Sequence, residues 1–177
     1  MSIVQLSHFN GKLIQEYLHN LNGAISPRSL VFPFVDSEHI ILGTKKRGFG
    51  VGYLNGFGGK LEPGETYYES AARELLEELG VRTVKLDFIG QINFYFPLDF
   101  PISKRAQQVM VFKCSEFEGE PTETEEMSFE IINLNTIPFN RMWPDAPLYF
   151  PIINQKNWKA EILYDSNYNV IDAIVAT

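Results

Sequence analysis

The segment from Gly59 to Val81, with the sequence GKLEPGETYYESAARELLEELGV, constrains the fold and the chemistry of this chain more than any other. Its Pro63-Gly64 dipeptide is a turn signal. Thr66 is followed three residues later by Glu69, a capping-box pattern that predicts a helix starting near Tyr67. A glycine that fits a left-handed cap ends this helix, whose apolar side consists of Ala71, Ala72, Leu75, Leu76 and Leu79.

Three glutamates of this predicted helix, Glu74, Glu77 and Glu78, lie on one face. Like charges at this spacing repel each other, and Arg73 offsets only part of the repulsion. The crowding therefore indicates a cation that the sequence does not supply. Carboxylate oxygens are hard ligands that suit Mg²⁺. A solvated acidic helix face is the alternative, but the glycine-rich loop upstream favours a metal site.

Composition excludes several classes of protein. The chain has 177 residues, 45% of them apolar and 14% aromatic, which suits one globular domain. Its net charge of −7 argues against a nucleic-acid-binding protein, which would show a basic face. Cys114 is the only cysteine, so an intramolecular disulfide is excluded and a buried thiol is expected. We find no apolar run of membrane-spanning length and no targeting segment, and therefore expect a soluble cytoplasmic protein.

The order of predicted elements favours a single α/β or α+β domain with a mixed sheet, over residues 26–177. We expect residues 1–25 to be an N-terminal extension with a short helix. Asn10 is its candidate N-cap and Gly23 its stop signal. Its apolar side consists of Ile14, Tyr17, Leu18 and Leu21. The extension is either a dimer contact or lid, or a helix packed on the edge of the domain, and we favour the packed helix. The sequence sets no oligomeric state.

Strand signals recur along the rest of the chain. Pro33 predicts that the first strand lies at a sheet edge or is bulged. Residues 115–126 are expected to be mostly a solvated loop, and a helix is expected from Asp145 to Ile153. Strands are predicted at residues 30–35, 39–42, 83–89, 90–96, 107–113, 128–133, 158–164 and 170–175.

The segment from Lys45 to Lys60, KKRGFGVGYLNGFGGK, is rich in glycine. Its glycines oppose regular structure and let the backbone approach a ligand closely. Its first three residues, Lys45, Lys46 and Arg47, form the densest basic cluster of the chain. They are either a phosphate contact or an exposed hairpin tip, and the sequence alone does not decide between the two.

The spacing Gly59-x5-Glu65-x7-Arg73-Glu74-Leu75-x-Glu77-Glu78-x-Gly80-Val81 is the complete signature of the Nudix hydrolases, which this chain resembles. The resemblance extends beyond that signature. Residues 29–175 resemble one branch of the family, the MutT-like oxidised purine nucleoside triphosphatases of mammalian type. This closer resemblance is most specific in LGTKKRGFGVGYLNGFGGK, GQINFYF and IPFNRMWPDAPLYFP.

The resemblance implies a Nudix α/β/α sandwich and a nucleotide-binding, metal-binding hydrolase that uses Mg²⁺ or Mn²⁺. Such enzymes split a nucleoside triphosphate into the monophosphate and pyrophosphate, which removes damaged nucleotides before they enter DNA. Arg73 is expected to hold the glutamates, and Glu65 to brace the loop. One of the signature glutamates or Glu126 is expected to act as general base. The implied metal ligands are the Gly58 carbonyl, Glu74, Glu77, Glu78 and Glu126.

The same resemblance implies a base pocket. Trp143 and a phenylalanine can stack on a purine, Asn55 offers a donor and an acceptor, and Asp145 can accept from ring N–H groups. The full set of implied substrate contacts is Lys45, Phe49, Asn55, Phe57, Gly58, Gly59, Lys60, Phe94, Phe96, Trp143 and Asp145.

Ala146 departs from the resembled branch, which has a second aspartate at this position. A lone Asp145 lacks a like-charge neighbour that would raise its pKa, so an ionised Asp145 is expected at neutral pH unless the pocket strongly desolvates it. An ionised carboxylate favours guanine-type rings, which present N–H donors. The alternatives are a Nudix hydrolase of another nucleoside diphosphate-linked substrate, such as a dinucleoside polyphosphate, or a non-catalytic nucleotide-binding module.

Overall fold

The computed structural model describes residues 9–23 and 25–177. The chain forms a mixed α+β fold with two sheets and few helices, as the sequence predicted. None of the helices within the described residues is long and apolar enough to cross a bilayer. The elements are α1 (Lys12–Asn20), β1 (Ser26–Pro33), β2 (His39–Lys45), β3 (Leu54–Asn55), α2 (Tyr67–Leu79), β4 (Arg82–Tyr95), β5 (Ala106–Glu118), β6 (Met127–Asn133), α3 (Ala146–Tyr149), β7 (Trp158–Tyr164) and β8 (Val170–Ala176).

The two sheets have different strand orders. A five-stranded sheet has the order β1-β5-β4-β7-β8, and a three-stranded sheet has the order β3-β2-β6. Because β1 is an edge strand, Pro33 is tolerated there, as predicted. The chain divides into two compact units, one with residues 28–88 and 110–143 and the other with the described parts of 1–27, 89–109 and 144–177.

In the first unit, the core packs the apolar side of α2 against neighbouring strands. Ala71, Leu75 and Leu79 are fully buried, as the spacing predicted. They pack with Val31, Ile41, Phe57, Val81, Phe112, Cys114 and Met127. β2 pairs with β3 and β6 in antiparallel register. This burial fixes which face of α2 remains available for charged side chains.

In the second unit, β4 pairs with β7 in parallel register, and β7 with β8 as an antiparallel hairpin. α1 buries Ile14 and Tyr17 here, which supports the interpretation as a packed helix. The buried carboxylate of Asp172 accepts hydrogen bonds from the backbone N–H groups of Gly11 and Ile14, at 3.0 and 3.1 Å. It therefore satisfies donors at the helix N-terminus that would otherwise lack partners.

Several boundaries differ from the prediction. The N-cap of α1 is Gly11, although the Asn10 side chain accepts from the Lys12 N–H, and the helix ends at Asn20, before Gly23. The two strands predicted on either side of Gly90 form one strand, β4, because this glycine leaves room for the Trp158 ring without breaking the pairing. β5 continues to Glu118, beyond the predicted end of this strand, and the short strand β3 lies within the glycine-rich segment. Residues 1–8 and residue 24 of the predicted extension lie outside the described residues.

Candidate active site

The helix that carries the signature glutamates has well-defined ends. The Thr66 hydroxyl accepts a hydrogen bond from the Glu69 N–H at 3.3 Å, and the Glu69 carboxylate accepts from the Thr66 N–H at 2.8 Å. This is the predicted capping box. Gly80 closes the other end with a left-handed φ of 79°, also as predicted. Fixed ends and a buried apolar side hold the acidic face of α2 in place.

Arg73 is the centre of an ion-pair network on that face. Its Nε and Nη2 donate to the two carboxylate oxygens of Glu65 at 2.8 and 3.0 Å. Its Nη1 donates to Glu74 at 3.0 Å and to Glu77 at 3.1 Å, and its Nη2 also reaches the Lys60 carbonyl oxygen at 3.1 Å. The hydrogen bond to Glu65 is the main reason that the pKa of Arg73 is raised. These contacts support the expectation that Arg73 positions the glutamates.

Glu65 links this network to the turn before the helix. Its carboxylate accepts a hydrogen bond from the Glu62 N–H at 2.9 Å while it also binds Arg73. The hydrogen bonds from Arg73 and from the Glu62 backbone lower the pKa of Glu65. Glu65 is therefore charged at neutral pH and connects the loop to the helix, in agreement with its expected bracing role.

Glu78 is the buried member of the acidic group, with 5% of its surface exposed. Its carboxylate accepts a hydrogen bond from the Gly58 N–H at 2.9 Å. Burial raises its pKa to about 7, the Gly58 hydrogen bond opposes this rise, and the charges of Glu74 and Glu126 add to it. A buried carboxylate near two others is the electrostatic situation that a bound cation would relieve.

Glu74 lies directly against the backbone of Gly59. A Cβ built on Gly59 would come within 2.1 Å of the Glu74 Oε1 atom, so only glycine leaves the space that this carboxylate occupies. Burial raises the pKa of Glu74, while Arg73 lowers it. The glycine that begins the signature thus allows the first signature glutamate of the helix to pack against the loop.

Glu126 comes from the loop before β6 and is held by Arg47, whose Nη2 donates to its Oε1 at 2.5 Å. This hydrogen bond is the largest effect lowering the pKa of Glu126. Since the Glu126 charge also acts on Glu78, the structure brings the predicted ligand from outside the signature near the signature glutamates.

Within residues 9–23 and 25–177, no three carboxylate, cysteine or histidine side chains converge as a metal cage. The acidic side chains bind internal cations instead: Arg73 holds Glu74 and Glu77, and Arg47 holds Glu126. The donor chemistry nevertheless fits a hard divalent cation, because it consists of carboxylates, one of them buried with a raised pKa. The chemistry of these donors thus suits a divalent metal ion, and the predicted set of ligands stays a prediction.

The basic cluster lies close to these carboxylates. The charge of Lys45 lowers the pKa of Glu74, of Glu78 and of Glu126. The Lys46 ammonium donates to Glu123 at 2.9 Å and to the Thr124 carbonyl oxygen at 2.8 Å. The cluster therefore contacts the acidic loop before β6 rather than forming an isolated hairpin tip.

Aromatic rings of the glycine-rich segment pack on Trp143. Phe49 and Tyr53 both stack with the indole, at centroid distances of 5.2 and 4.5 Å. Gly50 lies against the same ring, since a Cβ there would come within 3.0 Å of it. The predicted pair of Phe49 and Trp143 is thus brought together. Tyr53 was missed, although its spacing of four residues from Phe49 within one glycine-rich segment was a usable signal.

Two other predicted substrate contacts of this unit have internal partners. The side-chain Oδ1 atom of Asn55 accepts a hydrogen bond from the N–H of Gly56 at 2.8 Å. Phe57 is 0% exposed, and its backbone pairs with Val31 in both directions. Its side chain belongs to the core, which hydrophobic burial explains, and a substrate contact by Phe57 stays a prediction.

The other unit contains Phe94, Phe96 and Asp145. Asp145 is 2% exposed, and its carboxylate accepts a hydrogen bond from the Tyr164 hydroxyl at 2.6 Å. Tyr164 also stacks with Phe96 at 5.3 Å between ring centroids and lies 6.0 Å from Phe94. Tyr164 therefore contacts these three predicted residues, and no local pattern pointed to it because it is distant along the chain.

Burial changes the expected ionisation of Asp145. It raises the pKa of this carboxyl to about 6, while the Tyr164 hydrogen bond opposes the rise. The sequence predicted an unshifted pKa for Asp145 unless the site strongly desolvates it, and Asp145 is desolvated in this way. With a pKa of about 6, Asp145 is still mostly ionised at neutral pH.

Comparison with known proteins agrees with this arrangement. The NUDIX domain model matches residues 26–155. The chain is 43% identical over 122 residues to an oxidized purine nucleoside triphosphate hydrolase of Danio rerio, covering 69% of this chain and 76% of the relative. It is 44% identical over 119 residues to the protein of the same name from Mus musculus, covering 67% and 74%.

Solved structures show the same fold at lower sequence identity. A MutT protein from Bacillus halodurans superposes with a TM-score of 0.72 at 18% identity, covering 85% of this chain and 97% of that one. A MutT NUDIX hydrolase from Burkholderia pseudomallei gives 0.57 at 21% identity, covering 65% and 88%. The family model, the relatives and the acidic face of α2 agree, and this chain belongs to the Nudix hydrolase family.

Proposed function

We propose that this protein is a metal-dependent pyrophosphohydrolase that converts oxidised purine nucleoside triphosphates, such as 8-oxo-dGTP, to the monophosphate and pyrophosphate. The observation that carries the proposal is the buried Glu78 carboxylate, held by the Gly58 N–H within reach of the charges of Glu74 and Glu126. The names of the two curated relatives support the substrate class.

Nudix hydrolases generally need a divalent metal ion, and Mg²⁺ or Mn²⁺ fits the oxygen ligands of this site. The residues that would hold it are the Gly58 carbonyl, Glu74, Glu77, Glu78 and Glu126. When bound, such a metal neutralises phosphate charge and lowers the pKa of an attacking water.

Residues of the chain orient the metal ligands and the substrate and accept the proton. Arg73 orients Glu74 and Glu77 through hydrogen bonds of 3.0 and 3.1 Å, and Glu65 binds the Nε atom of Arg73. Lys45 adds positive charge near these carboxylates, where an incoming triphosphate would pass. A glutamate of this group, from the signature or Glu126, takes the proton of the attacking water.

The residues proposed to contact the base are different from the proposed metal ligands. Trp143 supplies a flat aromatic surface already stacked with Phe49 and Tyr53, and stacking contributes about 1–3 kcal/mol per base. Asp145, mostly ionised at neutral pH, accepts hydrogen bonds from guanine-type N–H groups. We also keep Asn55, Phe94, Phe96, Gly59 and Lys60 as proposed substrate contacts. Ala146 removes a second acidic partner, so the base range is expected to be narrow.

A substrate panel tests this proposal. Pyrophosphate release with Mg²⁺ is measured for 8-oxo-dGTP, 2-oxo-dATP, the unmodified triphosphates and a dinucleoside polyphosphate. The proposal expects 8-oxo-dGTP to give the highest kcat/KM. Comparable turnover of 2-oxo-dATP would contradict the narrow base range, and a clear preference for the dinucleoside polyphosphate would contradict the substrate class.

A cytoplasmic location and a nucleotide as the only partner remain predictions.

A further inference from the structure

Arg28, the third residue of β1, is a half-buried arginine that the expected roles leave unexplained. Its Nε atom is buried and makes no hydrogen bond. Among the residues that the structure describes, its side chain forms no ion pair either. Arg73 provides the contrast within the same unit, because it makes five hydrogen bonds of 2.8–3.1 Å. One arginine is thus saturated by partners while the other is not.

The position of Arg28 places it beside the candidate active site. Its backbone forms an antiparallel bridge with Lys60, and the next residue, Ser29, donates from its N–H to the Gly59 carbonyl oxygen at 3.0 Å. Gly59 in turn lies against the Glu74 carboxylate. Arg28 therefore lies in the strand that supports the loop against which a proposed metal ligand packs.

A buried N–H group without a partner costs free energy, since it has lost its hydrogen bonds to water. Burial lowers the pKa of Arg28, and the negative charge of Glu74 opposes the change without an ion pair to Arg28. A structural arginine would be expected to pair with that carboxylate, which instead binds Arg73 at 3.0 Å. The Nε donor of Arg28 thus lacks a partner, and an anion beside it would supply one.

We infer that Arg28 binds a phosphate group of the substrate beside the metal ligands. The guanidinium is planar and offers a fork of N–H donors that matches two phosphate oxygens. A phosphate placed there would supply the partner that the protein withholds, and its charge would balance the cation. This inference rests on the proposed function for the presence of a phosphorylated substrate, and it adds a binding residue that neither the signature nor the predicted substrate contacts include.

Binding of inorganic pyrophosphate and of the nucleoside 8-oxo-2′-deoxyguanosine, each measured by calorimetry with Mg²⁺ present, tests the inference. Arg28→Met should weaken pyrophosphate binding by about tenfold or more and leave nucleoside binding unchanged. Arg28→Lys keeps the charge but loses the fork, so it should lie between the wild type and Arg28→Met. Arg82→Met, which removes the same charge from an exposed position at the start of β4, should bind pyrophosphate like the wild type.

Several results would overturn the inference. These are unchanged pyrophosphate binding in Arg28→Met, an equal loss in Arg82→Met, equal losses for pyrophosphate and nucleoside, or no pyrophosphate binding by the wild type. A much lower Tm of Arg28→Met would also contradict it, because removing a half-buried guanidinium whose Nε has no partner should not destabilise the fold. Pyrophosphate carries no base, so a wild type that binds it through Arg28 but does not hydrolyse 8-oxo-dGTP would refute only the proposed function.

Discussion

Gly59 leaves open the space in which the Glu74 carboxylate lies, since a Cβ at residue 59 would come within 2.1 Å of the Glu74 Oε1 atom. We predict that Gly59→Ala lowers kcat/KM by about 10- to 100-fold, because the carboxylate must turn away from its proposed metal-binding position. The Tm should change little, since the displaced group is the end of a flexible side chain. Steady-state kinetics and thermal unfolding check both parts.

Gly64→Ala is the matched control for that variant. Gly64 has a φ of +85°, but nothing lies within 4 Å of a Cβ at this position. The substitution should therefore lower the free energy of unfolding by about 1–2 kcal/mol through backbone strain and leave kcat/KM close to that of the wild type. If both variants lose activity equally, the packing of Gly59 on Glu74 is not what matters.

Replacing the buried glutamate should separate stability from activity. Glu78→Gln removes a carboxylate whose pKa burial raises to about 7, and its amide oxygen can still accept from the Gly58 N–H. We expect turnover to fall by more than about tenfold while the Tm stays the same or rises. Glu62→Gln, at an exposed position, should change neither quantity. Retention of metal-dependent turnover within tenfold by Glu78→Gln would show that the metal-ligand assignment is wrong.

The ion pair between Arg47 and Glu126 predicts competition between an internal cation and the metal. Arg47→Ala frees Glu126, so Mn²⁺ binding to the nucleotide-free protein should tighten by about two- to fivefold, in keeping with the weakness of exposed ion pairs. Lys46→Ala removes the same charge from the neighbouring residue, which binds Glu123 and the Thr124 carbonyl oxygen instead. Its Mn²⁺ affinity, measured by electron paramagnetic resonance, should change less. Equal changes in both variants would exclude a specific effect of the ion pair.

Asp145 makes the stability of the protein depend on pH. Its pKa is about 6 in the folded state and 3.8 in the reference state, so the folded form binds the proton more tightly. The stabilisation is full below pH 3.8 and is lost as the pH rises through 6. Between pH 5 and pH 8 the loss amounts to about 1 kcal/mol.

Asp145→Asn cannot ionise and should lack this loss. Its free energy of unfolding in urea, relative to the wild type, should therefore increase by about 1 kcal/mol between pH 5 and pH 8. Asp165→Asn is the control, because hydrogen bonds from Asn169 and neighbouring N–H groups lower the pKa of Asp165 and keep it ionised at both pH values. The difference between this control and the wild type should not change with pH. A constant difference for Asp145→Asn as well would mean that Asp145 is not desolvated.

Local sequence signals predicted the parts of the fold that depend on nearby residues. The capping box of Thr66 and Glu69, the left-handed cap at Gly80 and the burial of Leu75 all follow from spacing within one helix. The closing hairpin of β7 and β8 was also predicted, because its two strands are neighbours along the chain. Local spacing did not predict that Gly90 would continue a strand, because its role depends on the distant Trp158 ring.

Long-range contacts explain what the sequence did not predict about the site. The roles of Tyr164 and Tyr53 depend on their packing against Asp145 and Trp143, and no short pattern contains either pair. The burial of Phe57 follows from its pairing with Val31 across the first unit, whereas its place in a glycine-rich loop suggested exposure. The signature predicts which charges share a helix face, but the partners of those charges are set by the tertiary fold.

The products formed from 8-oxo-dGTP test the central claim most directly. The purified protein is incubated with 8-oxo-dGTP and Mg²⁺, and phosphorus NMR identifies the products with and without a chelator. We predict 8-oxo-dGMP and pyrophosphate in equal amounts, and no products once the metal is removed. Release of orthophosphate with 8-oxo-dGDP, or the absence of turnover by the metal-loaded protein, would contradict it.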